Sequence, residues 1–263
     1  MHADLFDRYK SGKSLIHQLD PRVKVVLAVL FILSNVLLPD GAWLGFALSW
    51  LLLLWLSALS GFGATYTLKR SFVALPFVLA AVTALFAVPG KALFTWNLGP
   101  WHLVASDAGV LRFASVVIRS WLSVQVAILL VATTQFPDLM HALRHLHVPN
   151  VLVSIISFMY RYLFVMADEA MRLLRAREAR SARPAGGGGG GSLAWRAQIA
   201  GNMAGQLFLR SYERSERVYN AMLSRGYQGE LLTLNPHQMR SKDWLIAVTM
   251  MVFLIGLQVL GRI

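Results

Sequence analysis

Two arginines stand where their chemistry could reach a partner. Ala179-Arg180-Ser181 and Ser224-Arg225-Gly226 each close a charged, helix-forming stretch in a chain otherwise rich in apolar runs. A guanidinium is a planar fork that makes bidentate, charge-assisted bonds to acidic groups. The plainer role for both arginines is favourable placement against the negative end of a helix dipole. Three histidines offer a second kind of chemistry. His141 and His145 are one helical turn apart, a spacing at which two neutral imidazoles can bind zinc or nickel, with His147 close by. No third ligand such as a cysteine is near them, so the cluster is not assigned as a metal site. His2 stands alone.

The six consecutive glycines at 186–191 are a poor phosphate cradle. Such a loop needs a strand before it and a Lys-Ser/Thr pair after it, and neither is present. The run reads instead as a flexible linker. No Walker A motif occurs, so the chain carries no ATP-hydrolysing site of that type. The 0 cysteines exclude disulfides, Cys-ligated zinc, iron–sulfur clusters and thiol nucleophiles.

Composition places these residues in a membrane protein. Of 263 residues 56% are hydrophobic and 14% charged, against about 25% charged in ordinary soluble domains. The first 13 residues carry Asp4, Asp7, Arg8, Lys10 and Lys13, and no apolar leader follows a basic start. The net charge of +12 lies beside apolar runs, the pattern of the positive-inside bias, and no nucleic-acid motif accompanies it.

A span needs about 20 mostly apolar residues. The runs 25–38, 42–59, 71–89, 113–134 and 244–260 fit five helices, the third broken by Pro76 and the fourth carrying Arg119. Their interiors hold no Asp, Glu or His, so a stand-alone proton-coupled carrier or intramembrane protease lacks its titratable groups. The run 151–167 contains Arg161, whose burial at mid-bilayer costs about 2.5–3.5 kcal/mol. It is read as the apolar half of a long helix buried against other protein, with a sixth span as the alternative. Residues 135–242 hold 14 Lys+Arg against 7 Asp+Glu, a net +7, which puts this block and the N-terminus in the cytoplasm and the C-terminus outside. The expected organisation is four spans over 1–134, cytoplasmic helices over 135–242, and a last span over 243–263.

Within the block, 137–147 reads as a short amphipathic helix. In the next stretch Ile155, Met159, Tyr162, Met166, Ala170 and Leu174 recur at helical spacing, with Arg161, Asp168, Arg172 and Arg175 opposite. A further helix spans about 192–224, with Ile199, Met203 and Leu207 on one stripe. Glu213, Arg214, Glu216 and Arg217 can form local pairs on it, and Gly226 is suited to end it.

Read together, these segments resemble the transmembrane T component of energy-coupling-factor importers, in the cobalt/nickel branch often called CbiQ or NikQ. The resemblance runs through Asp7-Arg8-Tyr9, Leu19-Asp20-Pro21-Arg22-Val23-Lys24 and Pro137-Asp138-Leu139-Met140-His141-Ala142-Leu143. It continues in Tyr160-Arg161-Tyr162, Glu169, Arg172, Tyr219-Asn220-Ala221-Met222 and Ser224-Arg225-Gly226-Tyr227. The family's two signature triplets read Ala-Arg-Gly. Here Ser181 replaces the first Gly and Ser224 the second Ala, and Ala176-Arg177-Glu178 is a competing register for the first triplet.

The resemblance implies an all-α, polytopic membrane scaffold with about five transmembrane helices, six being possible, plus cytoplasmic coupling helices. It implies no catalysis, no cofactor and no metal site of its own. Arg180 and Arg225 would each dock an ATP-binding subunit (CbiO/NikO-like), supported by Arg161, Glu169, Arg172 and Glu216. A substrate-binding membrane S component (CbiM/NikM-like), with or without a small accessory subunit, would bind the cobalt or nickel. The setting would be a bacterial cytoplasmic membrane. A vitamin importer sharing the same coupling helices is the other reading.

Overall fold

The computed structural model describes residues 9–12, 14–98, 101–180, 192–229 and 239–262. It is helical apart from one hairpin, and it divides into two bodies. The first takes in the described residues from 9 to 145 with 239–262; the second takes in those from 146 to 229.

The first body begins with a short turn, α1 (Leu15–Gln18), and then α2 (Pro21–Leu37). The Asp20-Pro21 pair explains where α2 starts. The Asp20 carboxylate caps the helix by accepting from Arg22 N–H at 2.8 Å, and Pro21 sits where a missing N–H costs nothing. A turn through Gly41 (φ +85°) leads to α3 (Trp43–Leu59). Both helices have 17 residues, at the short end of the range of about 17–25 for a span.

Next come α4 (Ala64–Arg70), a 3-10 turn (Ser71–Ala74), α5 (Leu75–Ala81) and α6 (Thr83–Ala87). Segments 65–74 and 76–86 meet at a bend of 49° around Pro76, whose ring and missing N–H break the helical ladder. The apolar run expected at 71–89 is thus a bent pair that starts earlier, with Lys69 and Arg70 in its first arm. Strands β1 (Ala92–Leu98) and β2 (Trp101–Ser106) pair antiparallel.

Helix α7 (Asp107–Thr133) begins on Ser106, whose Oγ accepts from Gly109 N–H at 3.0 Å and donates to Val88 O at 2.5 Å. Gly109 is required by close approach, since a Cβ there would lie 2.5 Å from the Leu85 carbonyl oxygen. Helices α8 (Phe136–His145) and α11 (Ser241–Leu260) complete this body. Its core joins α2, α3, α7 and α11 through Phe31, Phe46, Leu53, Leu122 and Leu257.

A buried polar knot ties four helix ends together. Lys24 Nζ donates to Thr133 O, one of the orphan carbonyls at the end of α7, and to His17 O, both at 3.2 Å. Arg22 Nη2 meets His141 Nε2 on α8 at 3.2 Å. Asp243, at the start of α11, accepts from Arg240 N–H at 2.9 Å and from Asp20 N–H at 3.4 Å.

The second body is two long helices, α9 (Asn150–Arg180) and α10 (Leu193–Leu223). By length and apolar composition α7, α9 and α11 can each cross a membrane, and the bent pair is a fourth candidate. Helix α9 is in this set although Arg161 had kept 151–167 out of the expected spans. Among the described residues the chain itself leaves most of this apolar half uncovered. Only Val153 and Ser154 are buried; Ile155, Met159 and Arg161 are exposed. The chain is a multi-pass membrane protein.

Candidate functional site

The arginine of the first triplet is the last residue of α9. Ala179 and Arg180 are exposed, and Ser181 lies outside the described residues, as does the glycine run at 186–191. Arg177, the competing arginine, is half-buried one turn earlier.

The second triplet forms a helix stop. Gly226 N–H donates to Leu223 O and Tyr227 N–H to Met222 O, both at 3.0 Å, with Gly226 at φ +81°. This is the paired bonding of a Schellman motif, which uses a left-handed glycine to satisfy the last carbonyls. Tyr227 then turns back on the pair, its ring edge-on to Phe158 at 6.4 Å, and Ser154 Oγ donates to Gly229 O at 3.3 Å. Arg225 is left exposed on the final turn.

The two helices run antiparallel and are pinned near their middles. Glu169 on α9 accepts from Arg210 on α10 and pairs with Arg172 one turn along its own helix at 3.0 Å. The Arg210 hydrogen bond, reinforced by the nearby guanidinium charges, holds the Glu169 carboxyl below its usual range.

On one side of the pin lies an apolar groove of about 580 Å³, lined by Met159, Tyr162 and Met166 of α9 and by Phe208, Val218 and Met222 of α10. On the other side lies a cationic groove of about 820 Å³, lined by Arg172, Arg177, Arg180 and Arg210, with Trp195, Ile199 and Met203 on its apolar wall. Of the expected stripes, Met159, Tyr162 and Met166 on the first helix and Ile199 and Met203 on the second line these grooves, while Ile155 and Leu174 are exposed outside them.

Not every expected residue joins this arrangement. Arg161 is exposed two turns before Glu169, and it pairs with no carboxylate among the described residues. Glu216 is also exposed, and the local pairs open to Glu213 and Glu216 do not form among the described residues. Arg210 was missed altogether, since nothing in the spacing of α10 says that it faces a carboxylate 41 residues earlier. The histidines are engaged otherwise. His141 is buried, with Arg22 against its Nε2 and the His145 ring 4.6 Å away. Among the described residues no group of three His, Asp or Glu side chains is placed to hold a metal ion.

Comparison with known proteins supplies the context. Residues 12–239 match the family model described as CbiQ, cobalt transport protein. The cobalt transport protein CbiQ of Salmonella typhimurium is 27% identical over 165 residues, covering 60% of this chain and 70% of the relative. The energy-coupling factor transporter transmembrane protein EcfT of Lacticaseibacillus paracasei is 26% identical over 273 residues, covering 98% of each. An uncharacterized protein of Methanocaldococcus jannaschii is 28% identical over 90% of this chain and 80% of its own length. With its polytopic helical fold and a family match that runs from before the first long helix to the threshold of the last, this chain belongs to the CbiQ cobalt transport protein family.

Proposed function

We propose that the chain is the T component of an energy-coupling-factor importer for cobalt or nickel ions. It is the non-catalytic membrane scaffold that carries the motion of two ATP-binding subunits to a metal-binding S component. One observation supports the coupling role above the others. Arg180 and Arg225 are exposed at the C-terminal ends of two antiparallel helices, so they face partners at opposite ends of a unit pinned at Glu169–Arg210. An arginine fork offered at each end suits two copies of an acidic groove on two ATPases. The membrane body, with its buried knot around Asp20 and Lys24, holds the S component. In this reading the paired helices face the cytoplasm, where the ATP is.

The test is ATPase co-purification and metal uptake in cells that carry the complete transporter. Arg180→Glu and Arg225→Glu should each weaken both, and the double change should abolish uptake, with insertion of the chain in the membrane near normal. Truncating one member of a buried charge contact typically costs about 2–5 kcal/mol. Arg→Lys should restore only part of the activity. Full uptake with both charges reversed would leave the helix-dipole role as their account. The full-length match to an EcfT protein keeps a vitamin importer as the second reading. The S component recovered with the chain decides between them: a metal-binding one or a vitamin-binding one.

A further inference from the structure

We infer that the cationic groove between α9 and α10 is a headgroup-selective site for an anionic phospholipid. The groove is amphiphilic in the way such a lipid is. Arg172, Arg177 and Arg210 converge on it with one acidic neighbour, Glu169, so an excess of positive charge stays unneutralised by its own lining. Against these stand Leu173, Trp195, Ile199 and Met203, an apolar wall with an indole at its rim. Trp195 is 45% exposed.

The setting agrees with the chemistry. The basic half of α9 follows directly on an apolar run long enough to cross a membrane. Helix α10 buries none of its residues, and exposes Leu193, Phe208 and Leu209 beside Arg196 and Arg214. Basic clusters at the end of an apolar helix attract anionic headgroups, and basic amphipathic helices with Trp, Phe and Leu on the other face lie in the interface. A phosphate would sit among the guanidinium forks, where charge-assisted bidentate bonds are available, and an acyl chain would lie along the Trp195–Met203 wall. A free phosphate would use the arginines and leave that wall bare. This site stands whether or not Arg180 docks an ATPase, and its test leaves Arg180 untouched.

The full chain is purified and placed in vesicles of phosphatidylcholine with increasing fractions of a phospholipid brominated on its acyl chains. The headgroup is either phosphatidylglycerol or phosphatidylcholine. The signal is quenching of Trp195, taken as the difference between the native chain and Trp195→Phe. Half-quenching is expected at about a fivefold lower fraction of the glycerol headgroup, the gain typical of one basic side chain at an anionic surface. Arg177→Gln should remove most of that preference. Arg175→Gln, which takes the same charge from the same helix outside the groove, should leave it intact. Unchanged quenching by phosphatidylcholine shows that each variant is folded. Equal quenching by both headgroups, or equal losses from Arg175→Gln and Arg177→Gln, would overturn the assignment. Displacement by inorganic phosphate alone would turn it into a site for a soluble anion and overturn the lipid.

Discussion

Arg119 Nη2 donates to Asp40 Oδ1 at 2.8 Å, so the one cation inside the apolar stretch of α7 is met by the turn that joins α2 to α3. The same guanidinium donates to Leu38 O at 2.6 Å and lies 5.8 Å from the Phe46 ring centre. Two anchors of different kinds hold it. Arg119→Leu removes both and should lower stability by about 1.5–3 kcal/mol, the range for hydrogen bonds to charged groups. Asp40→Asn keeps the Leu38 bond and loses only a partly exposed ion pair, at a cost of about 1 kcal/mol or less. Thermal melting of the purified protein compares them, and equal losses would mean that the carbonyl bond contributes nothing.

Glu169 should hold α9 and α10 together through most of the acid range. Its carboxyl is held below the usual value by Arg210. A depressed carboxylate stabilises the folded arrangement fully above its unfolded pKa of about 4.3, and the contribution fades as pH falls through the lower, folded value. Spin labels at Leu174 and Leu209 should therefore report one narrow distance distribution at pH 7 and at pH 5, broadening only below about pH 4. Arg210→Gln should broaden it at pH 7, and Arg172→Gln should do so less. A distribution already broad at pH 5 would mean that something other than this ion pair sets the spacing.

Gly226 directs Arg225 by backbone alone. A Cβ at this position meets nothing within 4 Å, so the cost of Gly226→Ala lies in the φ of +81°. That cost is about 1–2 kcal/mol for an L-residue. Gly226→Val should weaken ATPase co-purification although the arginine is intact, and Gly226→Asn, which tolerates the left-handed region, should come close to the native level. Equal loss from Asn and Val would point to contact with the glycine itself.

The cytoplasmic placement proposed for the paired helices is open to labelling, because the chain has no cysteine of its own. Single changes Gly205→Cys and Leu146→Cys should both resist a membrane-impermeant maleimide added to intact cells. Reaction at Leu146→Cys alone would show that α9 crosses the membrane, making Arg161 an intramembrane cation.

Much of the local architecture was legible in the sequence because local rules decide it. Gly226 stops α10, Pro76 bends its segment, and the three-to-four spacing of Met159, Tyr162 and Met166 marks the face of α9 that lines the groove. What sequence could not give was partnership across distance. Arg119 with Asp40, Arg210 with Glu169, and Lys24 with the end of α7 each depend on which helices become neighbours, and a side chain's own surroundings in the chain carry no record of that. The hairpin at 92–106 carries no such local signal for a related reason, since a two-stranded pairing is made by its partner strand. Arg161 marks the limit of composition: the run around it is long and apolar enough for a span, and only its surroundings decide whether it crosses.

Two rods joined by an ion pair near their middles resemble scissors, and in scissors the opposite angles are equal. The apolar and cationic grooves occupy the two opposite angles between α9 and α10, either side of Glu169–Arg210. A turn about that pin would widen or narrow both at once, against the Ser154–Gly229 bond at one tip. If the pair turns about that pin, an occupant of one groove would favour the open form of the other, and reciprocity would make the effect equal in both directions.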